Sequence, residues 1–218
     1  MRKALLAAMT FILVGFMLVD GTLATVLNEA RDIFQNLTSI LGDNGIARTD
    51  GSFDVELYSI GDTEQLFPGG SATHTVAVKN TGSLGACFRL AIALQYDEET
   101  WPLLKTSFTF DSEYFQQEGD WRNIIIGGTP YKMMVFTYIH TLLAGTNSPN
   151  VSVTIAMDAS VTSRQISRYR SDFLQMQVLA IDADTFLNTK DEKSQPPFAS
   201  PVEALNAALP LTNFNPFR

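Results

Sequence analysis

Hydrophobic positions along this chain recur with two different periods, and the change of period divides it. In residues 26–41, VLNEARDIFQNLTSIL, the apolar side chains Val26, Leu27, Ala30, Ile33, Phe34, Leu37, Ile40 and Leu41 fall three and four apart. That spacing lines one face of a helix, so an amphipathic helix of about four turns is predicted there. Gly42-Asp43-Asn44-Gly45 ends it, because glycine and asparagine supply the left-handed conformation that closes helices.

From Ser52 the period shortens to two. Phe53, Val55 and Leu57 alternate with Asp54, Glu56 and Tyr58, and Val76 and Val78 alternate with Thr75, Ala77 and Lys79. Past the turn at Asn80-Thr81-Gly82-Ser83, a long run follows in which Phe88, Leu90, Ile92 and Leu94 alternate with Cys87, Arg89, Ala91, Ala93 and Gln95. This reads as a strand with one buried face. Further strands are predicted at 107–110, 121–126, 131–139, 151–158 and 173–183. Six to eight strands with few helices and no βαβ rhythm give an all-β fold, an antiparallel β-sandwich.

The connecting stretches are polar. Residues 158–169, DASVTSRQISRY, carry only a weak helical pattern and are read as a crossing between strands. From Asn188 the chain is rich in Lys, Asp, Ser and Pro, and its prolines exclude regular sheet. Pro201 to Leu209 is read as two helical turns with proline at the start, within a loosely attached tail. The organisation that follows is a leader at 1–24, an N-terminal segment at 25–50, a sandwich at 51–187 and a tail at 188–218.

The leader rests on Arg2 and Lys3, an uncharged run from Ala4 to Val19, and small residues in Gly21-Thr22-Leu23-Ala24. This is the build of a secretory signal peptide, with cleavage expected between Ala24 and Thr25 by a signal peptidase. The alternative is a retained anchor, but the apolar run is shorter than the ~20 residues a spanning helix needs. No stable membrane insertion is expected after cleavage.

Charge narrows the partners. The chain carries a formal −8, and loss of Arg2, Lys3 and Asp20 removes a net +1, which leaves −9. Nucleic acid and anionic membrane both demand clustered Lys and Arg, and the 15 basic residues are scattered. Cys87 is the single cysteine, so an intramolecular disulfide or a cysteine-based zinc cluster has no second thiol.

Catalytic chemistry finds no motif. His74 and His140 lie in or at the ends of separate predicted strands, outside any H-E-x-x-H helix that would put two imidazoles on one zinc. No G-x-S-x-G elbow occurs, and Gly70-Ser71 and Gly82-Ser83 read as turns. The acidic run Asp97-Glu98-Glu99 reads as a solvated loop. A non-enzymatic protein without cofactor or metal is expected.

The order of the motifs carries a family resemblance. Leu66-Phe67-Pro68-Gly69-Gly70-Ser71, then Thr73 to Ser83, then Ala86-Cys87-Phe88-Arg89-Leu90 resembles the PG-D/E-S-x-x-x-x-V-x-V-x-N-T-G-S-x-x-A-y-x-R segment of the TasA and camelysin family. Gly21-Thr22-Leu23-Ala24 resembles that family's G-T-x-A signal end, and Asp120-Trp121 with Tyr131-Lys132 its W…YYK strand pair. Leu142 to Ser148 resembles its L-x-P-G-x-T turn, and Val178 to Phe186 its v-x-A-E-A-I-Q-A-x-x-F run. Two departures stand out: Thr25 follows the signal end where the family has an aromatic residue, and Ala180-Ile181-Asp182-Ala183 replaces A-E-A-I-Q-A.

The resemblance implies a jelly-roll domain exported by a Gram-positive bacterium, released by a dedicated signal peptidase, and placed in biofilm matrix or surface fibres. It further implies self-association, the mature N-terminus docking as a donor strand in the next subunit. Residues 25–50 are then the assembly segment, with Val26, Leu27, Ile33, Phe34, Leu37, Ile40 and Leu41 as its apolar contacts. The competing reading of that segment is a helix packed on its own sandwich. For the whole protein the competing readings are a secreted metallopeptidase of the camelysin type and a monomeric surface module that binds glycan or protein.

Overall fold

The computed structural model describes residues 16–17, 53–60, 66–169, 173–183, 187 and 198–217. The predicted helix at 26–41 and the cleavage site at Ala24 and Thr25 lie outside the described residues. Phe16–Met17 form a short strand, β1, followed by β2 (Val55–Ile60), β3 (Ser71–Asn80), β4 (Ala86–Gln95), β5 (Leu104–Phe110) and β6 (Phe115–Gln117). Then come β7 (Arg122–Ile126), β8 (Thr129–Tyr138), β9 (Val151–Met157), a one-turn helix α1 (Ser163–Ile166), β10 (Leu174–Asp182) and a C-terminal helix α2 (Pro201–Ala208).

Two antiparallel sheets result. One runs β1-β10-β4-β8, with β6 and β7 both on the far side of β8, and the other runs β2-β3-β9-β5. The pairings are nested: β4 pairs with β8 in the first sheet while β3 pairs with β9 in the second. The chain running from β3 into β4 thus crosses from one sheet to the other while paired with the chain running from β8 into β9, which is the jelly-roll form of the sandwich.

The alternation read from the sequence places the core correctly. Phe88, Leu90, Ile92 and Leu94 of β4 meet Val76, Val78, Val153 and Ile155 of the opposite sheet in one buried cluster. Phe88 stacks on Tyr138 at 4.8 Å, and Phe136 takes Phe108 and Phe110 edge-on at 5.1 Å each. Such offset and edge contacts suit the ring quadrupole. The outer face of the β3–β9 pair is wet, with Thr73 bonded to Thr154 and Thr75 to Ser152 through their hydroxyls.

The outer face of the other sheet corrects two expectations. All ten residues of β4 are buried, because the segment from Phe198 to Phe217 lies across it. Ala204, Leu205, Ala208, Leu209 and Phe214 pack with Cys87, Ala91, Ala93, Val135, Leu179 and Ile181 in a second buried cluster. The tail is therefore not loose over 198–217, and β4 has two buried faces rather than one. The physical cause is the run of small residues Cys87, Ala91 and Ala93, which leaves a trough wide enough for a helix. Ser200 caps α2 by accepting a bond from Glu203 N.

Pro68 and Gly69 make the turn into β3. Gly70 N donates to Phe67 O at 2.9 Å, and Gly69 sits at φ +76°, the type II arrangement that calls for glycine at the third position. Gly69→Ala is expected to cost about 1 kcal/mol in a urea titration, from left-handed strain; the new Cβ also lies 3.3 Å from the Ala159 Cβ. Gly70→Ala is expected to cost less, since the ring it meets, Phe67, is 58% exposed and swings away.

Candidate assembly edge

Sheet edges matter here because a free edge presents unpaired backbone donors and acceptors to any extended partner. β10 pairs with β4 along its whole length, from Leu174 opposite Leu94 to Asp182 opposite Ala86. On its other side, among the described residues, only Phe16 and Met17 pair with it, opposite Gln177 and Met176. β2, the edge of the second sheet, lies against the same two residues. The edges of β10 and β2 therefore flank one side of the sandwich, and the occupant of that seam falls within the expected leader.

The side chains along the seam are incompletely covered. Phe173, Leu174 and Met176 pack against the inter-sheet core while only half-buried. Gln177 is 2% exposed, and among the described residues neither its amide oxygen nor its amide nitrogen finds a hydrogen-bond partner. A buried amide without partners is destabilising by roughly 1–3 kcal/mol, and this one sits where the β10 edge is filled by only two residues.

Charged groups gather elsewhere, on the outer face of the same sheet. Arg89 is completely buried. Its Nη1 donates to the carbonyls of Leu205 (3.3 Å) and Leu209, its Nη2 to Asn206 Oδ1 (2.5 Å), and its Nε to Thr137 Oγ1 (3.2 Å). Thr137 in turn donates to Glu118 Oε1 at 2.5 Å. Burial pulls the Arg89 guanidinium down to about 10, an effect that Glu118 opposes and Arg122 reinforces. It stays charged at neutral pH and faces the carbonyl end of α2, where the helix dipole is negative. The arrangement fastens one segment to another and has no feature of a reactive centre.

The predicted chemistry-bearing residues are not brought together. His74 is half-buried on β3, while exposed His140 follows β8 and donates from Nε2 to Glu113 O at 2.9 Å, beside the rings of Tyr114 and Tyr138. Among the described residues no three His, Cys, Asp or Glu side chains converge as a metal site. Asp97 accepts from the Thr100 hydroxyl at 2.6 Å, which is the main cause of its lowered pKa, with Arg168 adding to it. Arg168 also pairs with Glu99 at 2.8 Å, so the acidic run is an exposed ion-pair loop. Among the described residues no helix is long and apolar enough to cross a membrane.

The apolar assembly residues Val26, Leu27, Ile33, Phe34, Leu37, Ile40 and Leu41 lie outside the described residues. Sequence reasoning missed Arg89, which reads as an outward position of an alternating strand, and Gln177, which lies within the strand predicted at 173–183. It also took Asn80 for turn punctuation alone. Asn80 is fully buried; its Nδ2 donates to Leu84 O and Leu142 O at 2.7 and 2.9 Å, and its Oδ1 accepts from Gly82 N at 3.0 Å.

No family model matches this chain, and no curated protein matches it. Among solved structures, one titled "The unique CBM3- of Hungateiclostridium clariflavum" is similar at 12% identity and TM-score 0.36, over 60% of this chain and 97% of that one. Another, AvmM, whose title says that it catalyses macrocyclization in alchivemycin A biosynthesis, is similar at 12% identity and TM-score 0.32, over 60% of this chain and 88% of that one. Likenesses this remote assign neither family nor activity.

Proposed function

We propose that this is a secreted structural protein of the bacterial surface or biofilm matrix, which associates with its own kind by docking residues 25–50 of one copy into the β10–β2 seam of the next. The observation that carries this reading is the seam: two sheet edges flank it, and its only described occupant is Phe16–Met17. Cleavage after Ala24 removes that occupant and frees the neighbouring segment in one step. An extended partner then pairs with the β10 backbone and covers Leu174 and Met176, the general physics of strand addition. The acidic balance and the absence of a catalytic motif agree with such a role.

The test is negative-stain microscopy and sedimentation of the mature chain beginning at Thr25, with and without residues 25–50. Fibres are expected from the first and monomers from the second. A mature chain that stays monomeric at high concentration would sink the reading in favour of a surface binding module. Chelator-sensitive casein hydrolysis lost in His74→Ala or His140→Ala would favour the peptidase.

A further inference from the structure

We propose that Gln177 selects the strand that stays on β10: it calls for a side-chain amide directly opposite, which Phe16 of the leader does not supply and Asn36 of a second copy does. This deepens the docking of residues 25–50 proposed above and rests on it. β10 alternates between two faces, with Val178 and Ala180 in the inter-sheet core and Leu179 and Ile181 in the outer cluster. Gln177 therefore lies on the outer face with Leu179. Its antiparallel partner on the edge side is Phe16 and on the other side Ala91, and directly opposed residues share a face with Cβ atoms about 4.5–5.5 Å apart. Neither of those side chains has a donor for the Gln177 Oε1 or an acceptor for its Nε2, and among the described residues nothing else meets them.

An unmet buried amide makes the leader a poor occupant. A strand that brings a donor and an acceptor to the same position gains hydrogen bonds that the leader cannot make, so exchange is downhill once cleavage frees the edge. Asparagine and glutamine carry both groups on separate atoms, as pairing with an amide requires. Residues 25–50 hold four of them, Asn28, Gln35, Asn36 and Asn44. Antiparallel pairing with Asn36 opposite Gln177 is the register that suits the rest of β10. It sets Leu37 opposite Met176, where Met17 sits in the structure, and Ile33 opposite Ala180, both on the core side. On the outer face it sets Phe34 opposite Leu179 and Thr38 opposite Gln175. Gln35, opposite Val178, is the one polar residue of 33–38 that this register turns inward. Asn28 in the same place would turn the charge of Glu29 toward the core, Gln35 would turn both Asn36 and Thr38 there, and Asn44 is flanked by Asp43 and Gly45.

The test takes the chain beginning at Thr25 and reads its concentration of half-assembly by sedimentation. Gln177→Leu and Asn36→Leu are each expected to raise that concentration by about tenfold or more, because each leaves the facing amide alone. Together they are expected to recover most of the loss, since neither amide is then orphaned. Register is read separately by mixing a Gln177→Cys chain with an Asn36→Cys chain, both carrying Cys87→Ala, and oxidising the mixture. A mixed disulfide is expected there, and not when Gln35→Cys takes the place of Asn36→Cys. In the full chain with its leader, Gln177→Leu is expected to raise the urea midpoint, whereas loss of a residue needed only for the fold would lower it. Fibres that assemble unchanged with Gln177→Leu overturn the inference and leave the docking reading standing. So do single losses that the double variant does not recover, an equal cross-link from position 35, and a lowered midpoint in the chain with its leader. A wild-type chain that stays monomeric overturns both.

Discussion

Arg89→Ala is expected to lower stability by about 3 kcal/mol in urea unfolding and to turn Cys87 from protected to thiol-reactive. The substitution strips the Leu209 carbonyl of its Arg89 donor, leaves Leu205 O with only the Leu209 N–H, and opens a cavity between sheet and helix. An orphaned buried acceptor costs roughly 1–3 kcal/mol and the cavity adds to it, partly offset because the guanidinium no longer has to be desolvated. Against a typical total of about 5–15 kcal/mol this is a large fraction. Arg89→Met separates the contributions: it keeps the volume and removes the buried charge, so it is expected to cost less than Ala while still exposing Cys87. Arg89→Lys is expected to fall short of wild type, because one ammonium cannot reproduce a fork that reaches Asn206, Thr137 and two carbonyls together. An unreactive Cys87 in all three variants would show that residues 198–217 are held over it by apolar packing alone.

The second large effect is at Asn80, where Asn80→Ala is expected to cost about 2 kcal/mol in urea unfolding. One amide ties the β3–β4 turn to itself through Gly82 and Leu84, and to the loop after β8 through Leu142. Truncation takes the Asn80 donor from Leu84 O, removes the second partners of Leu142 O and Gly82 N, which keep their backbone bonds to Ala86 N and Asp54 O, and leaves a small buried cavity. Asn80→Asp sharpens the test. An aspartate keeps the acceptor for Gly82 N but aims negative charge at the Leu84 and Leu142 oxygens, so at neutral pH it is expected to be worse than alanine. The penalty is that of a buried carboxylate facing two carbonyls, so it is expected to be largest at neutral pH and to shrink in acid, where a protonated carboxyl can donate to one of them. Chemical denaturation of both variants at neutral and acid pH reads this directly. An aspartate variant as stable as wild type at neutral pH would mean that water, not the carbonyls, satisfies the site.

The same stretch shows how far the sequence reached. The run from Phe67 to Leu90 announces turn, strand, turn and strand through its prolines, glycines and alternation, and the structure has these elements in that order. The alternation in β4 also gives its inner face, since Phe88, Leu90, Ile92 and Leu94 all enter the inter-sheet core. The outer face was unreadable for a definite reason. Cys87, Arg89, Ala91 and Ala93 are what a solvated face looks like, and the segment that buries them arrives more than a hundred residues later, as the bonds from Arg89 to 205–209 show. β6 was missed because three residues, Phe115 to Gln117, are too few to display a period. The seam at β10 was equally hidden, since an edge is defined by which strand is not beside it.

The sequence by itself determined the all-β class, most strand positions, the inner face of the sandwich, the acidic charge and the lack of a recognisable catalytic motif. Each of these is written in local spacing or composition, which needs no knowledge of distant neighbours. Only the tertiary structure decided the nested pairing of β3 with β9 and β4 with β8, the β10 edge that among the described residues only Phe16–Met17 fills, the burial of Arg89 and the packing of residues 198–217. Those depend on contacts between positions far apart in the chain, where loop entropy and shape complementarity settle which of many compatible pairings forms.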